Sequence, residues 1–246
     1  MQPRSHGFPP EADMPIWLFP DDSALKAHPF YREAKAGDVT AAVRLVSDLA
    51  LPFLIQNRHR LPQEACYVAP HAREATGDNA IPQVLAQACA MLSGGKADDD
   101  IVQISRVFHT GADPMERMAS RAAFEGLVKP DAIHILVDDV TTMGGTLAEL
   151  ADFIQIRGGI VGGAVVIVNA GRAKNLCPSK EVVRKIEKRF SHELEEIVGI
   201  QAKALTANEA NYLIGFRTAD EVRNRLAKAR QETNLRLRSK GLERQD

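Results

Sequence analysis

The chain has 246 residues, 45% hydrophobic and 26% charged, with 31 Lys and Arg against 32 Asp and Glu for a formal net charge of −1. That size holds one sizeable α/β domain with an accessory element, and the balanced charge excludes a global pull toward nucleic acid or anionic membrane. Cys66, Cys89 and Cys177 are odd in number and widely spaced, which excludes a disulfide framework or cysteine zinc site and points to a reducing cytosol.

Residues 1–13 carry Pro3, Pro9, Pro10, Glu11 and Asp13 without an apolar core, so they read as a loose arm and not as a signal peptide. No run of about 18 apolar residues offers a transmembrane helix. Pro15 to Phe19 is a short apolar strand or extended segment. Asp38 or Thr40 caps a helix whose apolar face is expected on Val39, Ala42, Val43, Val46 and Leu49. Pro52 bends or restarts it, and Phe53, Leu54 and Ile55 carry it to about Arg58. Cys66 to Ala69 is the first core strand, followed by a loop over residues 70–79. Asp78 is placed to cap a helix with Ile81, Val84, Leu85 and Ala88 on one face. Ligands of open α/β sheets gather outside the carboxyl ends of the strands, so that loop faces the crevice of the sheet.

Ile101 to Ile104 reads as the next strand, and a loop with Gly111 and Pro114 leads to a short helix from about Met115. Ile133 to Val137 is an apolar, β-branched run suited to a strand buried on both faces. Asp138 and Asp139 stand at its end. Thr141, Thr142, Met143, Gly144, Gly145 and Thr146 form a hydroxyl- and glycine-rich turn, and Leu147, Leu150, Ala151 and Ile154 follow at helical spacing. The first-turn amides and the dipole of such a helix favour an anion, and the glycines let the backbone close around a phosphate. Carboxylates repel phosphate; their partners are sugar hydroxyls, a divalent cation, or both. A phosphate at one end of the loop and a polyol at the other describe a sugar phosphate. The alternative is an ordinary βα turn with a Thr146-x-x-Glu149 capping box.

Asp138 to Thr146 resembles the phosphoribosyl-pyrophosphate (PRPP) signature of the type I phosphoribosyltransferases in length and order. Met143 departs from it, since the family usually has Thr or Ser there. Val68-x-Pro-His-x-Arg, then Gly77-x-Asn79 and Leu85-Ala86, is similar to the ComF-like branch. The resemblance covers about residues 65–172 and implies an α/β fold with a mainly parallel central sheet flanked by helices. It implies Mg²⁺-dependent displacement of pyrophosphate from PRPP by a nitrogenous base. Asp138 and Asp139 would hold the ribose hydroxyls and orient the Mg²⁺ site, and residues 141–146 would anchor the 5′-phosphate. His71 and Arg73, with Arg106, Arg117 and Arg121 from a mobile flap that also holds Thr110 and Phe124, would meet the pyrophosphate. Asn169 and Arg172 would approach the base, and residues outside the sheet would form a hood. No general base stands out, because Thr142 occupies the position that is Asp in hypoxanthine-type enzymes. A PRPP-sensing protein that performs no chemistry is the rival reading.

Arg157-Gly158-Gly159 stops the signature helix, and Val161 to Val168 returns as a buried strand. From Ser179 the chain turns helical, with Val182, Val183, Ile186, Phe190, Leu194 and Ile197 at three- and four-residue intervals. Two further helices are expected around Ala207–Phe216 and Ala219–Arg238. The division is an arm and helical segment over 1–60, a phosphoribosyltransferase core over 61–175 and a helical extension over 176–246. The extension is expected to be solvated or to build a homodimer. Its Arg223, Arg225, Lys228, Arg230, Arg236 and Arg238 leave a nucleic-acid contact as a lesser alternative, and no membrane partner is expected.

Overall fold

In the computed structural model the residues described are 2–13, 15–69, 71–74, 77–105 and 112–239, with backbone alone for 71–74, 77–78 and 236–239. Strand β1 (Ile16–Phe19) leads to helices α1 (Ser23–Ala27), α2 (Tyr31–Lys35), α3 (Val39–Leu49) and α4 (Leu51–Gln56). Next come β2 (Cys66–Val68), β3 (His71–Glu74), β4 (Gly77–Asp78), α5 (Ile81–Ser93), β5 (Lys96–Asp98) and β6 (Val102–Gln103). The chain continues through α6 (Pro114–Ala119), β7 (Phe124–Glu125), β8 (Ile133–Thr141), α7 (Gly145–Ile156) and β9 (Ile160–Asn169). Helices α8 (Lys180–Phe190), α9 (Glu193–Val198), α10 (Ala207–Leu213) and α11 (Ala219–Ser239) complete the described elements.

Among the described residues, β1, β9, β8, β2 and β5 form a parallel five-stranded sheet in that order. It is the α/β architecture expected, with helices on both faces. Alternation along the strands explains the two layers. Ile135, Val137, Val165 and Ile167 point to one side, where α3, α4 and α5 supply Leu45, Leu54 and Leu85. Leu136, Ala164 and Val166 point to the other, where α7 supplies Leu147, Leu150 and Ile154. A smaller sheet, ordered β4-β3-β6-β7, lies beyond the main one.

Several local expectations are corrected. Asp38 does cap α3, accepting from Ala41 N at 2.9 Å. Its buried face, however, is Ala41, Ala42, Leu45 and Val46, while Val39 is 59% and Val43 45% exposed. The stretch after β2 holds two short strands. Helix α5 begins past Asp78, with Asn79 Oδ1 accepting from Ile81 N at 3.2 Å. The central-sheet strand after α5 is Lys96–Asp98, whereas Val102–Gln103 joins the small sheet. An edge strand needs no apolar run, and this one carries charge as edges do.

The two terminal segments differ most from expectation. Phe8 and Ala12 are buried against the α7 side of the sheet, and Arg4 is fully buried; the loose arm is a packed one. The C-terminal helices form a third core, where Ile186, Phe190, Leu194, Leu213, Val222 and Leu226 pack with Met115 and Met118 of α6. The extension is therefore not a solvated tail, because its apolar stripe is covered by the chain itself. The basic residues of α11 that are described are largely paired: Arg223 with Glu193 and Asp220, Arg225 with Asp113 and Glu232, Lys228 with Glu232. Among the described residues no helix is long and apolar enough to cross a membrane.

Candidate functional site

The site starts from the carboxyl end of β8. Its register with β9 runs on through Asp138 opposite Val166 and Thr141 opposite Asn169, so both aspartates are held within the strand. Successive side chains leave a strand on opposite faces. Asp138 is half-buried and opens onto a cleft beside the loop, whereas Asp139, 3% exposed, turns toward α2. Asp139 N donates to Asp138 Oδ1 at 2.8 Å. Burial first, and the charge of Asp139 second, push the Asp138 carboxyl well above the usual range, against the opposing effect of Lys35. Lys35 Nζ stands 3.1 Å from Asp139 Oδ2, at ion-pair distance; that oxygen accepts no aligned hydrogen bond. Burial also raises the Tyr31 phenol, one turn before Lys35, and the charge of Asp139 adds to the effect while Lys35 opposes it.

Gly144 adopts φ +76°, the left-handed conformation that a side chain resists, and is the N-cap of α7. No side chain caps that helix. The Thr146-x-x-Glu149 box of the alternative reading is therefore not formed: the Glu149 carboxylate is taken by arginines. Arg121 grips it with two bonds of 2.6 and 2.7 Å and donates to Gly199 O at 2.6 Å. Arg4 donates to Glu149 Oε1 at 3.1 Å and to Ala204 O at 3.0 Å, and pairs with Glu209. Burial pulls the Arg4 guanidinium down, but Glu209 and Glu149 outweigh it and hold it above its ordinary value.

The loop is held by the C-terminal extension. Thr206 Oγ1 donates to Met143 O at 2.6 Å, and Asn208 Nδ2 donates to Thr142 O at 2.9 Å. Thr206 and Glu209 form a capping box at the start of α10. A Cβ on Gly145 would lie 3.1 Å from Glu209 Oε1, so glycine permits this approach. The Met143 side chain packs against the third core. Arg117 donates to Thr142 Oγ1 at 3.1 Å and to Ala112 O at 3.0 Å; burial lowers its pKa. The cleft bounded by Asp138, the loop, Arg117 and the Arg4–Glu149–Arg121–Glu209 group has a volume of about 60 Å³.

The structure thus brings Asp138, residues 141–146, Arg117 and Arg121 together around one cleft. Arg121 faces it with its guanidinium committed to Glu149 and Gly199. Asn169 is buried in the turn after β9, where it accepts from Gly171 N at 3.1 Å and donates to Ala173 O at 3.3 Å; Arg172 is exposed. His71 and Arg73 lie on β3, with side chains outside the described residues, as is all of Arg106. The described part of the expected flap is a packed helix, with Met115 and Met118 buried and a box formed by Asp113 and Glu116. Sequence reasoning missed Arg4, Lys35, Asn208, Thr206 and Glu209. Thr206-x-x-Glu209 is a legible capping box, but nothing local ties it to residues 63 positions away.

No protein-family model matches the chain. Over 223 residues, 88% of this chain, it is 34% identical to Protein TraN of Escherichia coli and covers 50% of that protein. Over 130 residues, 52% of the chain, it is 35% identical to an uncharacterized protein of Haemophilus influenzae, of which it covers 29%. The chain spans half or less of the length of these curated relatives. Among solved structures, adenine phosphoribosyltransferase from Leishmania donovani aligns with a TM-score of 0.34 and 15% identity, covering 68% of this chain and 61% of that one.

Proposed function

We propose that the chain is a phosphoribosyltransferase that moves the phosphoribosyl group of PRPP to a nitrogenous base and releases pyrophosphate. The observation that carries this reading is Asp138 at the carboxyl end of a central parallel strand, directly before a glycine loop that opens onto a helix without a side-chain cap. The amides of that loop and the α7 dipole suit the 5′-phosphate. Arg117 brings positive charge to the same place. Asp138 accepts from a ribose hydroxyl and its charge favours the cationic character that develops at the anomeric carbon. The acceptor nitrogen forms its bond to that carbon as the bond to the diphosphate oxygen breaks; the electron pair leaves with pyrophosphate, and the proton of the acceptor passes to solvent. Holding the phosphate at a fixed distance converts remote binding energy into alignment.

A resident Mg²⁺ on both carboxylates does not fit the residues present. Asp139 is turned from the cleft and paired with Lys35, and no cluster of three or more His, Cys, Asp or Glu gathers among the described residues. In this reading Mg²⁺ belongs to the substrate, as counter-ion of the diphosphate. The test is calorimetry with Mg²⁺–PRPP followed by pyrophosphate release over a panel of bases. Binding with turnover supports the transferase. A second reading, a PRPP-sensing protein without chemistry, is favoured by the side-chain bonds that fix the carbonyls of Thr142 and Met143; binding without turnover supports it. Absence of binding would sink both.

A further inference from the structure

The inference here rests on the sugar-phosphate reading and concerns the half of the carboxylate pair that faces away from the cleft. We propose that Lys35 is the resident cation of the site: its ammonium takes, at Asp139, the place of a divalent metal, so that the ribose phosphate is bound with no metal on the aspartates.

Three observations carry it. Asp139 is nearly inaccessible, and a buried carboxylate without a counter-charge is strongly disfavoured, so a partner is required. Lys35 Nζ, 3.1 Å from Oδ2, supplies that charge. Among the described residues the same oxygen has no aligned hydrogen-bond donor, so the ammonium charge is what balances it. A metal would need a different geometry. Mg²⁺ demands oxygens converging in a near-ideal octahedron at about 2.0–2.1 Å, but Asp138 opens onto the cleft while Asp139 turns to α2. A lysine on a flexible stem neutralises one carboxylate without recruiting the other.

The placement of Lys35 is built. Helix α2 is only five residues long, yet Ala34 is completely buried and its carbonyl accepts from Ala80 N at 3.1 Å, just before α5. Tyr31, four residues earlier, shares the face of α2 that carries Lys35. Lys35 is therefore a positioning residue that acts through Asp139.

The experiment is titration calorimetry with ribose 5-phosphate, which lacks the diphosphate and its counter-ion, in EDTA and in Mg²⁺. The wild-type chain should bind with affinities within twofold of each other in the two buffers. Lys35→Gln, checked for folding by circular dichroism, should lose tenfold or more in both buffers, because the divergent geometry that excludes a metal from the pair is unchanged. Lys35→Arg keeps the charge and should keep metal-independent binding. Wild-type binding that requires Mg²⁺ would overturn the proposal. So would Lys35→Gln that binds like wild type or whose loss Mg²⁺ restores, and so would Lys35→Arg that binds no better than Lys35→Gln. If the wild-type chain binds ribose 5-phosphate in neither buffer, the sugar-phosphate reading itself falls and takes this proposal with it. That outcome differs from a failure of Lys35 alone, which leaves wild-type binding intact.

Discussion

The two sides of the carboxyl end of β8 are finished in opposite ways. On the Asp138 side the sheet ends at a cleft whose far wall comes from residues near both ends of the described chain, Arg4 and Glu209 among them. On the Asp139 side a single helix turn closes the space with Lys35. Neighbouring residues with identical side chains thus receive different electrostatic tasks: one carboxylate is left open to a ligand and the other is paired in advance. Chemistry at this strand end depends on what packs against each face, more than on the Asp-Asp dipeptide.

The sharpest way to break that comparison is to remove the far wall. Arg4→Met leaves Glu209 without its arginine and Glu149 with one where it had two. Breaking a buried ion pair from one side costs about 3–5 kcal/mol, and urea denaturation should show a loss of that size. A change below about 1 kcal/mol would mean that the C-terminal extension holds the cleft without this group.

Asp138→Asn tests the open side. It should keep the fold and weaken ribose 5-phosphate binding by about 1.5–3 kcal/mol, the worth of a hydrogen bond to a charged group. The same variant has a pH signature. The folded carboxyl lies above its unfolded value of 3.8, so the native state holds the proton more tightly. Stability should fall as pH rises from near 3.8 through the raised folded value, and Asp138→Asn should flatten that slope. An unchanged slope would place the titration elsewhere.

Smaller effects sharpen the picture of the loop. Thr206→Ala removes a helix cap worth about 1 kcal/mol and the bond to Met143 O; hydrogen exchange of the loop amides should quicken. Met143→Thr should cost on the order of 1 kcal/mol of stability, because the thioether packs into the third core. A tighter PRPP complex from that variant, with stability unchanged, would show instead that a missing hydroxyl matters more than the packing.

The parts legible in sequence are those governed by short-range rules. The apolar run at 133–137, the glycines at 144, 145 and 158 and the return at 161–168 announce strand, loop, helix and strand, because period and turn chemistry act locally. Ser179 at the head of α8 was legible for the same reason. Arg4 was not: a lone arginine among prolines reads as solvated until partners 145 and 205 residues away are known. Lys35 was hidden likewise, since its value lies in facing Asp139 across the fold. The face of α3 was legible in part: Ala42 and Val46 are buried as expected, but Ala41 and Leu45, not the β-branched Val39 and Val43, complete the buried face.

The span of the Arg4 contact has a meaning for biosynthesis. Glu209 follows Arg4 by 205 residues, an interval of about 10–40 s at synthesis rates of 5–20 residues per second. Throughout it, the β8–α7 unit is made while the segment that holds its loop is still untranslated. Contacts of such sequence separation are slow to close. The nascent chain therefore carries a sheet before it carries a finished cleft, and the Asp138 side is closed only once residues 206–209 are made.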